Sequence, residues 1–169
     1  MNKTELKKTV TKIKKLLGRS DHVSVGVELA RGLGEPAVFE ALLGGWSINE
    51  EGSLTLEEGY ADENLTKKWS DKSLPYFEYA LWSLIGYAPE GAKVHPSLVR
   101  SNITKLVLRG GGDLQAVDAL ANYTQLTSLD LSGCRRLGNV DGLANCTQLT
   151  DLNLSMTRSK TFIFNSNPA

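Results

Sequence analysis

The sequence is poor in cysteine, and its 169 residues contain no long apolar run and no excess of charge of either sign. Cys134 and Cys146 are too few for a disulfide scaffold, so the chain must fold around a hydrophobic core. No stretch approaches the ~20 apolar residues of a membrane span, and lysines interrupt the apolar positions of residues 1–17 in a way that argues against a signal peptide. We therefore expect a cytoplasmic location.

The charge balance also bears on partners, because 19 basic residues stand against 19 acidic ones. A chain without net charge has no global field to hold nucleic acid or an anionic membrane, so we expect neither as a partner. Apolar residues make up 41% of the chain and charged residues 22%, which is ordinary for a globular protein.

The last third of the chain repeats itself with a period of 23 residues. An LxxLxL motif begins at Ile103, Leu126 and Leu149, and the segment Leu114–Cys134 matches Leu137–Thr157 at 13 of 21 positions. Side chains alternate along a strand, so the second and third leucines of each motif point to the same face. One unit cannot close that apolar interior, whereas stacked units can.

The sequence pattern LxxLxLSGCxxLxNVDGLANCTQLT resembles that of the bacterial leucine-rich repeat family, in particular its internalin-like repeats. The resemblance runs from Ile103 to the last residue. It implies an α/β solenoid with a concave parallel β-sheet and protein–protein recognition rather than catalysis. The family's inner asparagine position holds Gly111, Cys134 and Thr157 here, so no asparagine ladder can form.

The first two-thirds of the chain shows helical patterns, and we predict four helices before the repeats. They run over residues 4–17, from Asp21 or Ser20 to Leu33, over Pro36–Leu43 and over Pro75–Tyr87, with a short strand at Ser53–Leu56 and a loop at 57–72. We expect Val23, Val27, Ala30 and Leu33 to face inward. The predicted organisation is a helical capping region over 1–100 and three repeats with a tail over 101–169.

The first predicted helix separates its apolar and basic residues. Leu6, Val10, Ile13 and Leu17 form one stripe, and most of the lysines lie elsewhere. A basic amphipathic helix can lie on a membrane, but this one lacks tryptophan and phenylalanine on its apolar side. We interpret it as a surface helix with a solvated lysine face.

The outward positions of the three repeat strands are polar and stack at the 23-residue period. We predict that they form a partner-binding face for a protein or peptide, made of Lys105, Val107, Arg109, Ser128, Asp130, Ser132, Asp151 and Asn153. Three strands and five residues along each offer on the order of 250 Å², well below the ~800 Å² per partner of a stable interface. The face alone is therefore too small for tight binding.

Few residues of the chain could carry chemistry, and we predict no catalytic residue, metal or cofactor. His22, His95, Cys134 and Cys146 lack metal-ligand spacing, and we expect both cysteines to be buried structural thiols. The competing hypothesis is an enzyme or small-ligand site within residues 20–100, with His22 and Glu28 near a pocket.

Two further alternatives concern assembly. The apolar run Thr161–Phe164 follows the last repeat, where it could cover the open end of the stack; otherwise that edge would pair with a second copy to form a homodimer. The chain could also be a short member or a fragment of a longer repeat protein. The identity of the partner does not follow from the sequence.

Overall fold

The computed structural model of the protein describes residues 1–19, 21–57, 74–110, 114–115 and 117–158, with side chains from Tyr79 onward in the helix that begins at Leu74. Four α-helices are present in these ranges: α1 (Lys3–Leu17), α2 (Val23–Leu33), α3 (Pro36–Leu43) and α4 (Leu74–Tyr87). The strands there are short: β1 (Trp46–Ile48), β2 (Leu54–Leu56), β3 (Lys105–Val107), β4 (Ser128–Asp130) and β5 (Asp151–Asn153).

Helix α1 begins at a capping box. The Asn2 side chain accepts a hydrogen bond from the Glu5 backbone N–H at 2.9 Å, and the Glu5 carboxylate accepts one from the Asn2 N–H at 3.0 Å. The predicted apolar stripe faces the core, where Val10, Ile13 and Leu17 are buried. The helix therefore packs its apolar side against the core and exposes its lysines on the other side.

A short turn joins helices α2 and α3. Gly34 ends α2 with φ at +60°, a left-handed conformation that glycine adopts without strain, and Pro36 begins α3. His22, rather than Asp21, occupies the N-cap position of α2. The prediction that Leu33 faces inward is wrong, because it lies in the last turn of α2 and is 38% exposed.

The five strands form two separate sheets. Strands β1 and β2 make an antiparallel hairpin, while β3, β4 and β5 lie parallel in that order. Leu106 is in register with Leu129, and Leu129 with Leu152, so the leucines of successive repeats lie side by side as the period predicts. Strand β1 was not predicted, whereas β2 lies within the strand predicted at Ser53–Leu56.

The helices and the repeats share one hydrophobic cluster, and Tyr123 lies where they meet. Its hydroxyl donates to the carbonyl of Trp82, and the two rings pack edge to face at 6.2 Å. Arg100 donates to the carbonyls of Gly86 and Ala88 at the end of α4, at 2.8 and 3.4 Å. The repeats thus pack directly against α4.

The predicted α/β solenoid is wrong. The described residues form four helices and two small sheets, and no solenoid is evident in them. Three parallel strands of three residues each give too few rungs for a coil to develop. Their buried leucines belong to the same cluster as the helical core instead of lining a separate stack.

Several predictions fall outside the described residues. They are residues 58–72 of the predicted loop, the inner position at Gly111, the helix start at Ser20, and the terminal run Thr161–Phe164. The division between 1–100 and 101–169 stays a prediction.

Gly142 offers a test of how closely the second repeat packs on the first. A β-carbon at Gly142 would overlap the Val117 carbonyl oxygen and lie 2.8 Å from the Asp118 Cα, whereas one at Gly138 would meet nothing within 4 Å. Because backbone cannot yield as a flexible side chain can, Gly142→Ala should lower the free energy of unfolding by about 1–3 kcal/mol.

The matched control is Gly138→Ala, which should leave the free energy of unfolding unchanged or slightly raise it. Urea denaturation followed by circular dichroism measures both variants. Equal stability of the two would contradict the close backbone contact between the repeats.

Candidate functional site

The structure brings the eight predicted residues together on three adjacent strands and just beyond the ends of two of them. In register order, Lys105 lies beside Ser128 and Ser128 beside Asp151, while Val107, Asp130 and Asn153 form the next row. Arg109 and Ser132 follow β3 and β4. We call this set of eight residues the polar sheet face.

An ion pair joins the first two strands of the polar sheet face. The Arg109 Nε atom lies 2.7 Å from the Asp130 Oδ2 atom, and the arginine is 69% exposed against 15% for the aspartate. The other Asp130 oxygen accepts a hydrogen bond from the Ser132 backbone N–H at 2.9 Å. One carboxylate therefore fixes both the turn after β4 and the arginine that follows β3.

These contacts alter the acidity of Asp130. Burial acts to raise the pKa of its carboxyl, but the hydrogen bonds from Ser132 and the Arg109 guanidinium outweigh burial, so the pKa lies below its ordinary value of 3.8. The carboxylate is thus held ionised in the folded protein.

On the third strand, Asn153 takes the place of Asp130 and binds the following turn with a neutral side chain. The Asn153 side-chain oxygen accepts hydrogen bonds from the Ser155 N–H at 3.0 Å and the Ser155 hydroxyl at 2.8 Å. Beside it, the Ser128 hydroxyl donates to Asp151 at 3.1 Å. Among the described residues, Lys105 and Asp151 are the two charges of the polar sheet face that have no ion-pair partner.

The turn of the β1–β2 hairpin lies against the free edge of β3, which the sequence did not predict. The Val107 N–H donates to the Gly52 carbonyl at 3.1 Å. A β-carbon on Gly52, whose φ is +85°, would lie 2.7 Å from the Lys105 carbonyl oxygen. The Asn49 side chain accepts from the Glu51 and Ser53 N–H groups and holds the turn.

Glu50 and Glu51 belong to the same turn, so this contact adds them to the surroundings of the polar sheet face. The signal that could have found the turn is a Gly-containing segment between the two apolar runs of the hairpin. Which strand edge the turn would reach is a tertiary property that no local pattern carries.

The alternative site residues lie on and beside helix α2. The His22 Nδ1 atom is 2.8 Å from Asp21, and Glu28 forms an exposed ion pair with Arg31 at 3.5 Å. The hydrogen bond with His22 is the main reason that the pKa of Asp21 is lowered. His22 and Glu28 thus each pair with a different neighbouring residue.

Both cysteines are buried thiols, as predicted. Cys134 donates to the Leu108 carbonyl and Cys146 to the Leu120 carbonyl, each at 3.3 Å and each 26 residues earlier in the chain. They tie neighbouring repeats together. Within the described ranges, no group of three or more His, Cys, Asp or Glu residues is arranged to hold a metal ion.

An open groove of about 450 Å³ lies between the end of α4 and the return side of the first repeat. Apolar side chains from residues 85–99 form one wall, and Asn122, Thr124 and Gln125 contribute polar groups. Arg100 lines it too, although its guanidinium is engaged by the carbonyls of Gly86 and Ala88. Its volume is within the range of small-ligand sites.

Comparison with known proteins assigns no family, because no family model, curated protein or solved structure matches the chain. In the part of the chain that the structure describes, no helix is long and apolar enough to cross a membrane.

The ion pair on the polar sheet face predicts a pH-dependent contribution to stability. Since the pKa of Asp130 is lowered on folding, its stabilising effect is present above the unfolded value near 3.8 and is lost as the pH falls through the folded value. We expect Asp130→Asn to be less stable than the natural protein at about pH 7, and the difference to shrink at about pH 3.

Urea denaturation at both pH values measures this difference, with Asp141→Asn as the control, because Asp141 is exposed outside the polar sheet face. A stability difference for Asp130→Asn that stays constant between the two pH values would show that the carboxylate's charge is not what stabilises the face.

Proposed function

We propose that this protein is a non-enzymatic binding module that recognises a protein or peptide through the polar sheet face, and that nucleic acid and membranes are not its partners. The observation that carries the proposal is the parallel register, which gathers eight outward residues from three separate repeats onto one surface. The resemblance of the repeat sequence to the leucine-rich repeat family also supports protein or peptide binding.

The unpaired charges suggest the chemistry of the partner. Lys105 lies on β3 and Asp151 on β5, two strand spacings or about 10 Å apart. Between them, Asp130 is already neutralised by Arg109. A partner segment with one acidic and one basic side chain about 10 Å apart would therefore complement the two ends of the face.

The strands limit how tightly the face alone can bind. Three residues along each of three strands cover about 10 by 10 Å, or on the order of 100 Å². This area is smaller than the one predicted from the repeat, which assumed five residues along each strand. A stable interface needs about 800 Å² per partner. We infer a weak interaction, or one that extends over the hairpin turn at Glu50 and Glu51.

The alternatives named from the sequence remain alternatives. The enzyme or small-ligand site in residues 20–100 places His22 and Glu28 near a pocket, and the groove beside α4 gives it no support because neither residue lines that groove. The chain could instead be a short member or a fragment of a longer repeat protein. A homodimer through the C-terminal end is excluded if light scattering in dilute buffer gives the mass of one chain.

The binding proposal predicts which substitutions affect capture. After affinity purification from the native cell and identification by mass spectrometry, a captured protein should bind Lys105→Glu and Asp151→Lys at least several-fold more weakly, because each reversal places like charges together. Arg109→Glu should also weaken capture, since it breaks the pair with Asp130.

The control is Lys3→Glu, an exposed reversal at the start of α1, where an acidic side chain favours the helix. Thermal unfolding of every variant checks that the fold is kept. If folded variants at Lys105, Arg109 and Asp151 capture the protein as well as the control does, the polar sheet face is not the binding site.

A further inference from the structure

The neutral chain concentrates its positive charge on one helix. Residues 1–19 hold six lysines and one arginine against a single acid, Glu5, which is engaged in the capping box. The rest of the chain therefore carries an excess of acidic residues. The overall charge balance conceals a strongly basic surface.

The basic side chains lie opposite the buried side of α1. At about 100° per residue, Lys8, Lys12 and Lys15 fall within about 60° of arc, across the helix from the buried Val10, Ile13 and Leu17, and Arg19 follows just past the C-cap Gly18. All four basic residues are exposed. In the described part of the protein, none of the three lysines has an ion-pair partner, and Arg19 reaches only the exposed Asp21 at 3.5 Å. We call these four residues the basic row.

A shallow surface of helix α1 extends beside the basic row. It is lined by the row together with Thr4, Lys7, Thr11 and Leu16. The methylene stems of the lysines cover much of this surface, so a partner would meet apolar contact area beneath the charges. A side chain with a carboxylate at the end of an aliphatic stem matches both features.

The spacing of the row selects among anionic partners. Lys8, Lys12 and Lys15 are separated by 4 and 3 residues, which is the spacing at which side chains recur along one face of any α-helix, and Arg19 follows four residues later, just past the end of α1. A partner helix with Glu at the same intervals would place one carboxylate opposite each cation, as charged positions do along paired helices.

Other anionic partners fit the basic row less well. A single-stranded nucleic acid is bound by basic and aromatic side chains together, and α1 contains no aromatic residue. Insertion into a membrane needs an exposed apolar face, whereas that of α1 is already packed in the core. We propose that the basic row is a second docking surface, and that its partner is an acidic helical segment of another protein.

The test uses a synthetic helical peptide with four Glu residues at intervals of 4, 3 and 4, and a peptide of the same composition with those Glu residues spread around the helix. Fluorescence anisotropy at low salt should show binding of the first peptide and at least about tenfold weaker binding of the second. Added salt of about 0.5 M should remove the binding, because exposed charges are screened.

Two charge-matched variants locate the site. K8E/K12E/K15E should weaken binding of the spaced peptide at least about tenfold, whereas K3E/R135E/R158E, which changes the net charge equally at exposed positions, should leave it within about twofold. K8Q/K12Q/K15Q removes the charge with residues that keep the helix propensity of lysine, so a loss in this variant is not a folding defect. Circular dichroism checks helix content in all three.

Several results would overturn the proposal. They are equal binding of the two peptides, equal effects of the two charge reversals, or tighter binding of a single-stranded RNA or of phosphatidylserine vesicles than of the spaced peptide. None of these variants changes Lys105 or Asp151. A negative result for the basic row therefore does not bear on the polar sheet face, and loss of binding at the polar sheet face does not bear on the basic row.

Discussion

The structure depends on the stacking of successive 23-residue units in one parallel register. Leucines at the same position in each repeat lie side by side, and Thr127 and Thr150 each donate a side-chain hydrogen bond to the carbonyl one repeat earlier. The buried cysteines do the same on the inside of the repeats. A shift of register by one residue would turn every leucine outward and every polar residue inward.

The stack is short, and the helices complete its core. Tyr123 comes from the return side of the first repeat, yet it bonds to Trp82 on α4 and is fully buried. Gly86 permits this approach, because a β-carbon there would lie 3.0 Å from the Ala119 carbonyl oxygen. The helical part and the repeats therefore stabilise each other across a continuous apolar contact, as expected for so few repeats.

Outside this core, the protein presents two surfaces of different character. The polar sheet face has charges of both signs, and most of its hydrogen bonds are satisfied internally through Asp130 and Asn153. The basic row on α1 has one sign and few internal contacts. Polar groups that already have hydrogen-bond partners gain little interaction energy when another protein binds. An unpaired row of like charges gains more, because an oppositely charged partner reduces the repulsion within the row.

The sequence by itself determined the repeat register, the inward leucines and the extent of α3, since period, side-chain alternation and Pro/Gly signals are local properties. It also named the residues of the polar sheet face, because outward positions follow from the inward ones. The sequence did not determine how the stack ends or what fills its interior, and the inference of a solenoid from the period alone was wrong.

Tertiary structure decided which elements meet. It joined Arg109 to Asp130 across two strands, laid the hairpin turn along β3, and exposed Leu33 despite its apolar position in the helical pattern. It also turned a lysine-rich sequence into a straight row by burying the opposite side of α1. These contacts join residues far apart in the chain or depend on which side of a helix is covered, and periodicity describes only neighbours along one element.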